Sequence, residues 1–356
     1  MAVFAGKLNC TETLNFYKEK KKGSDAMSLN LSFACPPYDR ILPLASGRIQ
    51  PEGIKLTYLP LEVEEIFWRQ LRNQEFDVSE SSLSSYVMLR SRGDERFIAI
   101  PVFTSRMFRH ACVFINTQKG IERPQDLKGK VVGLPEYQIT AVVWLRGIFQ
   151  DEYGVFPKDV HWRSGGEEEP GRTEKIKIQL PPEIDLQPIA PDQYLSKMLD
   201  DGELDAMFTA RAPSCFTKGS ANVARLFENY REVEEAYYQK TGIFPIMHTV
   251  ILKREIYAKN PWIAMNLYKA FCEAKKTLMK AYSQTHTLHV TLPWIHDEIE
   301  RTQKTLGADW WPYGVQKNRH VVETFLRYHH EQGLSKRLMT VEELFAPETL
   351  DEEFKI

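Results

Sequence analysis

The chain has 356 residues, 43% of them hydrophobic, and a formal net charge of −2. That length supports two compact lobes with separate cores, and the near-neutral charge argues against a nucleic-acid partner. No apolar run reaches the roughly 18 residues that a membrane span requires.

Met1 to Met27 has no apolar stretch followed by a small-residue cleavage site, and Tyr17-Lys18-Glu19-Lys20-Lys21-Lys22 reads as part of a solvated, loosely held tail. A cytoplasmic protein is expected. Leu29 to Cys35 and Ile54 to Leu59 read as strands. Val63 to Leu71 then places apolar residues at helical spacing and leads through a polar turn into Phe76-Asp77-Val78. A further strand, Phe97 to Phe103, runs into Thr104-Ser105-Arg106-Met107-Phe108-Arg109-His110, where two guanidiniums and an imidazole lie close together. Such a cluster suits a small polyanion, because arginine grips carboxylates through a planar fork. Ligands of open α/β sheets also bind beyond the carboxyl ends of strands.

Cys112 to Asn116 and Lys130 to Leu134 are the next strands. The stretch between Phe156 and Asp192 is rich in proline, glycine and charge and reads as a long link, a candidate lid. Its Gly165-Gly166 pair lacks the context of a nucleotide-binding loop. Tyr194 to Leu199 repeats the amphipathic helix and leads into Leu204-Asp205-Ala206-Met207, so the helix-to-strand step occurs twice. Met247 to Leu252 is a strand returning toward the first lobe, followed by helices from Pro261 to about Tyr282 and from His320 to about Gln332. This pattern predicts an α/β chain with mostly parallel sheets. Lobe 1 comprises residues 28–110 and 245–356, and lobe 2 comprises 111–244. Five scattered cysteines without CxxC spacing suit reduced thiols. His286, His289 and His296 read as a solvated helix face, and no metal set emerges. Trp310-Trp311-Pro312-Tyr313 suits a core or a dimer contact, which leaves a homodimer open.

Several runs together are distinctive: Tyr38-Asp39-Arg40, Glu80 to Tyr86, Pro101 to His110, Pro135 to Gln138, Glu168 to Arg172, Thr209 to Pro213, Gly242 to Thr249 and Trp310 to Gly314. With them the chain resembles the 4,5-dihydroxyphthalate decarboxylase family from Leu29 to Thr349. The resemblance implies a two-lobed type II periplasmic-binding-protein-like fold with a ligand cleft between the lobes. It also implies cofactor-independent decarboxylation of a small aromatic dicarboxylate, 4,5-dihydroxyphthalate to 3,4-dihydroxybenzoate and CO2. The alternative is a non-catalytic cytoplasmic binding protein or sensor for an aromatic carboxylate.

Such chemistry needs a proton donor over the ring, cations for the carboxylate that stays, and hydrogen bonds for the hydroxyls. Glu136, just beyond a strand's carboxyl end, is the first candidate for the acid. His248 is the second, raised above an ordinary core histidine by the resemblance. Arg40 is placed to bind a carboxylate or to stabilise charge as CO2 leaves, with Asp39 orienting it or capping a helix at Ile41. Arg106, Arg109, His110 and Arg211 are the expected anion clamp. Ser82, with Ser84 and Ser85 beside it, belongs either to a hydroxyl-rich ligand turn or to a capped helix start. Tyr137 and Thr140 are expected to supply ring contacts or hydroxyl bonds.

Overall fold

The computed structural model describes residues 28–351, so the expected tail, Met1 to Met27, lies outside the described residues. Eleven strands can be followed through them: β1 Leu29–Ala34, β2 Ile54–Leu59, β3 Val78–Ser82, β4 Phe97–Arg106, β5 Val113–Asn116, β6 Val131–Leu134, β7 His161–Ser164, β8 Leu186–Pro188, β9 Ala206–Phe208, β10 Val223–Arg225 and β11 Ile246–Lys253. They form two sheets, one ordered β2-β1-β3-β11-β4 and the other β10-β5-β9-β6-β7-β8. The molecule is thus a two-lobed α/β protein, and the chain passes between its sheets after β4 and again before β11.

The two passages explain why the sheets are more mixed than the sequence suggests. β1 runs parallel to β2 and β3, but β11 enters between β3 and β4 antiparallel to both. In the second sheet β9, β6, β7 and β8 are parallel, whereas β5 opposes β9 and β10. β5 and β11 are the strands that arrive from the other lobe, and each lies antiparallel to the neighbours it joins. β4 also extends to Arg106, three residues beyond the expected end, because it pairs with β11 as far as Ile246. The long link is shorter than expected. Its ends are β7 and β8, which pair with each other and extend the sheet edge.

Helices cover the sheets with buried apolar faces. Helix Thr140–Tyr153 buries every residue from Thr140 to Phe149. It packs on helix Arg319–Glu331 through Gly147, where a side chain would collide with the Tyr328 ring. Helix Leu83–Ser91, which hydrophobic spacing did not delineate, is buried on nearly all sides. No helix among the described residues is long and apolar enough to cross a membrane. His296 lies in helix Ile295–Leu306, while His286 and His289 precede it in a loop. Trp311 packs at the edge of the main core and donates its indole N–H to the Phe103 carbonyl at 2.9 Å.

Candidate active site

A cavity of about 240 Å³ lies where the carboxyl ends of β3 and β6 face each other. An apolar cavity of about 150 Å³ accepts one benzene ring, so this one has room for a ring with polar substituents. Its walls carry Val63, Phe67, Ile139 and Met247 as apolar surface and Ser82, Ser85, Ser105 and Thr140 as hydroxyl groups. The charged and titratable lining is Glu64, Arg109, Glu136, Lys175, Arg211 and His248, with Tyr38 at the side.

His248 owes its place to strand register. On β11 it stands opposite Ser82 of β3, and Glu80 stands opposite Val250, so His248 and Glu80 are diagonal neighbours across the ladder. Irregularities in the β11–β4 pairing fall on either side of His248, the kind of local kink that re-aims a side chain. His248 Nδ1 lies 2.8 Å from Glu80 Oε1. Glu80 is fully buried, and it also accepts from Thr104 Oγ1 at 2.8 Å and from the Tyr38 hydroxyl at 3.2 Å. Burial and the Glu80 charge push the Tyr38 phenol far above its usual range, so Tyr38 stays a donor. A buried carboxylate on Nδ1 favours the proton there and leaves Nε2 as the ring nitrogen without a protein partner among the described residues. Phe67 meets the ring edge-on, with centroids 5.0 Å apart, and restricts its rotation. Glu80 was not singled out in the sequence, although a glutamate inside Val78-Ser79-Glu80-Ser81-Ser82, a strand buried throughout, is a signal that could have found it.

Glu136 also lines the cavity, but its surroundings are those of an acceptor. Oε1 receives Arg172 Nη2 at 2.6 Å and Lys175 Nζ at 2.5 Å, and Oε2 receives the Lys175 backbone N–H at 3.0 Å. All these partners are donors, two of them cations.

The expected anion clamp separates into two groups. Arg109 and Arg211 line the cavity, and neither has a carboxylate within ion-pair distance among the described residues. Arg109 is held by the Ala210 carbonyl at 3.0 Å and the Met247 sulfur at 3.2 Å. Burial pushes its guanidinium pKa down, so a ligand carboxylate would find an undercompensated cation. Arg106, Arg40 and His110 do not reach the cavity. Arg106, inside β4, donates to Phe244 O at 3.0 Å, to Pro312 O at 2.8 Å and to Asn318 Oδ1, which fastens the C-terminal segment to the first sheet. Arg40 grips the Thr104 carbonyl and Asp39 and lies over the Tyr38 and Trp311 rings, at 4.0 and 4.5 Å. His110 is buried beside Phe227, and burial lowers its pKa to about 4, so it is a neutral core residue near pH 7. Tyr137 is likewise outside the lining, stacked under Arg146 at 3.6 Å.

Ser82 and Thr140 join the lobes at the cavity floor, with hydroxyl oxygens 2.9 Å apart. Of the two alternatives for Ser82, the structure shows the helix cap. Its oxygen accepts from Ser85 N at 3.3 Å as the cap of helix Leu83–Ser91, and it faces the cavity.

The loop between β7 and β8 folds over the cavity as a strap. Gly166 permits its tight turn, since a side chain there would strike the Glu169 carbonyl. Beyond that turn Arg172 and Lys175 reach Glu64 of helix Val63–Asn73 as well as Glu136, at 3.1 and 2.8 Å for the Glu64 contacts. Lys175 and Glu64 were not anticipated, because their meeting depends on how the loop returns. The strap also carries Glu167 and Glu174, and burial pushes both carboxyls up to about 7. Undocked, each would ionise near its ordinary value of 4.5. The docked strap therefore binds more protons between these limits, and docking loses stability as pH rises through about 7. Hydrogen exchange corrected for its intrinsic pH dependence should show weaker protection across 165–176 at pH 8 than at pH 6. Equal protection at both would mean that these carboxyls ionise without moving the strap.

No family model matches the chain. It is 42% identical over 328 residues to a 4,5-dihydroxyphthalate decarboxylase of Comamonas testosteroni, covering 92% of this chain and 99% of that one. A 4,5-dihydroxyphthalate decarboxylase of Pseudomonas putida is 43% identical over 211 residues, 59% of this chain and 82% of that one. Among solved structures, the periplasmic aliphatic sulphonate binding protein SsuA of Escherichia coli aligns with a TM-score of 0.49 at 14% identity, over 91% of this chain and 99% of that one. The desulfurization enzyme DSZB aligns with a TM-score of 0.44 at 13% identity, over 90% and 97%. Identity of 42% across nearly the full length of both sequences means that this chain belongs to the 4,5-dihydroxyphthalate decarboxylase family.

Proposed function

We propose that the protein decarboxylates 4,5-dihydroxyphthalate to 3,4-dihydroxybenzoate, with His248 as proton donor and Glu80 as the residue that positions it. The observation that carries this reading is the buried Glu80–His248 pair facing a ring-sized cavity that also holds two guanidiniums without carboxylate partners. Arg109 and Arg211 bind the two carboxylates, and Ser82, Ser85, Ser105 and Thr140 are available to the ring hydroxyls. A hydroxyl para to the departing carboxylate pushes electron density onto the ipso carbon, which takes the proton from His248 Nε2. The carbon–carboxylate bond then breaks, its electron pair restores the aromatic ring, and CO2 leaves. One proton is consumed per turnover, and the imidazole recovers it from solvent. Glu80 stabilises the imidazolium before transfer and keeps Nε2 directed at the cavity. This chemistry fits a cytoplasmic enzyme, as do the buried cysteines Cys35, Cys112 and Cys215, none of which forms a disulfide among the described residues.

A pure binding protein would need the guanidiniums and not the Glu80–His248 pair. Incubation with 4,5-dihydroxyphthalate should release one CO2 per 3,4-dihydroxybenzoate formed, whereas phthalate, lacking the hydroxyl push, should bind and persist. Binding of both acids without CO2 release would identify a receptor instead.

A further inference from the structure

Two carboxylates, Glu64 and Glu136, line a cavity that is read here as the site of a dianion. Left alone they would repel such a ligand, and their charges would cancel those of Arg109 and Arg211. The strap changes that balance. Lys175 sets its ammonium between Glu136 Oε1 at 2.5 Å and Glu64 Oε2 at 2.8 Å, with its side chain only 4% exposed. Arg172 bridges the same two carboxylates at 2.6 and 3.1 Å. Glu64 belongs to the first lobe and Glu136 to the second, so the four charges meet only when both lobes and the strap come together. Burial works against ionisation of Glu64, yet Lys175 and Arg172 hold its carboxyl below the usual range.

We infer that Lys175 and Arg172 are specificity-determining residues that act by cancelling Glu64 and Glu136, so that a docked strap turns a charge-balanced cavity into a doubly cationic one fitted to a dicarboxylate. With the strap away, the guanidiniums are offset by the two glutamates, and the cavity has little preference between a monoanion and a dianion. With it in place, Arg109 and Arg211 are no longer offset by Glu64 and Glu136. Strap docking and dianion binding are then thermodynamically linked, each favouring the other. The inference rests on the decarboxylase reading for its ligand, but it concerns binding and not turnover.

The test is calorimetric titration of the full-length protein with phthalate and with benzoate, neither of which can react. Lys175→Met should weaken phthalate by roughly tenfold or more and benzoate much less. Adding Glu64→Gln to that variant should restore most of the lost phthalate affinity, because the charge that Lys175 cancelled is then gone. If the double variant stays as weak as the single one, Lys175 grips the ligand directly or merely holds the fold, and the inference falls. Equal losses for the two acids overturn it as well. Should Lys175→Met not fold, Glu64→Gln alone decides: the phthalate-to-benzoate affinity ratio should rise, and an unchanged or lower ratio refutes charge cancellation. A wild-type protein that binds neither acid defeats the decarboxylase reading and this inference with it, whereas wild-type binding with the wrong variant pattern defeats the inference alone.

Discussion

His248→Gln should lower the turnover of 4,5-dihydroxyphthalate by about 10²–10⁴-fold, the range associated with loss of a positioned proton donor. Phthalate affinity should stay within about threefold, because the amide keeps the side chain's bulk and removes only the transferable proton. Glu80→Gln should reduce kcat by a smaller factor without changing KM, since the amide can still meet Nδ1 but no longer stabilises an imidazolium. Phthalate affinity should be unchanged in the same variant, so that the loss falls on the chemical step alone, which a purely structural role would not produce. A His248→Gln enzyme keeping more than about a tenth of wild-type kcat would return the donor role to Glu136.

Arg109→Met should weaken phthalate binding by about 2–5 kcal/mol, as expected when one partner of a buried charge pair is removed. Benzoate should lose less. Arg106→Met, three residues away, should instead lower the thermal midpoint and leave the ratio of phthalate to benzoate affinity unchanged. Its guanidinium serves the carbonyls of Phe244 and Pro312 and the Asn318 amide. Equal losses for the two acids in the Arg109 variant would remove it from carboxylate recognition.

The contrast between these arginines shows how far the sequence could be read. Local pattern located β4 and the basic run at its end, because apolar composition and charge are visible within a few residues. Which guanidinium faces the cavity depends on where β4 stops, and β4 stops where its pairing with β11 ends at Arg106. That partner lies some 140 positions along the chain, beyond any local window. Glu80 and His248 illustrate the same limit, being 168 positions apart and joined only by register. His248 entered the reading through resemblance, and Glu80 was passed over within a motif that was itself recognised. The strap was legible as a feature, since its proline, glycine and charge mark a long link. Lys175 was not, because nothing in its neighbours tells which side of a folded loop will be buried. Arg40 and Tyr137 failed for another reason: both sit beside elements that do line the cavity, and a rotation of one side chain separates lining from support.

The position of β11 also bears on how the molecule is made. Among the described residues, β11 is the one strand that pairs with β4 in the first sheet, and β11 is synthesised after every strand of the second. A nascent chain that has emerged only as far as residue 240 can assemble the parallel trio β2-β1-β3, while β4 waits with its apolar residues unpaired. The second lobe therefore matures inside an unfinished first one, and the closing strand is also the one that delivers the histidine. Non-local closure of this kind slows folding and leaves an adhesive edge exposed while it is pending. In such a chain the proposed proton donor arrives with the strand that pairs β4, so molecules that stall short of it are expected to be both inactive and prone to aggregate.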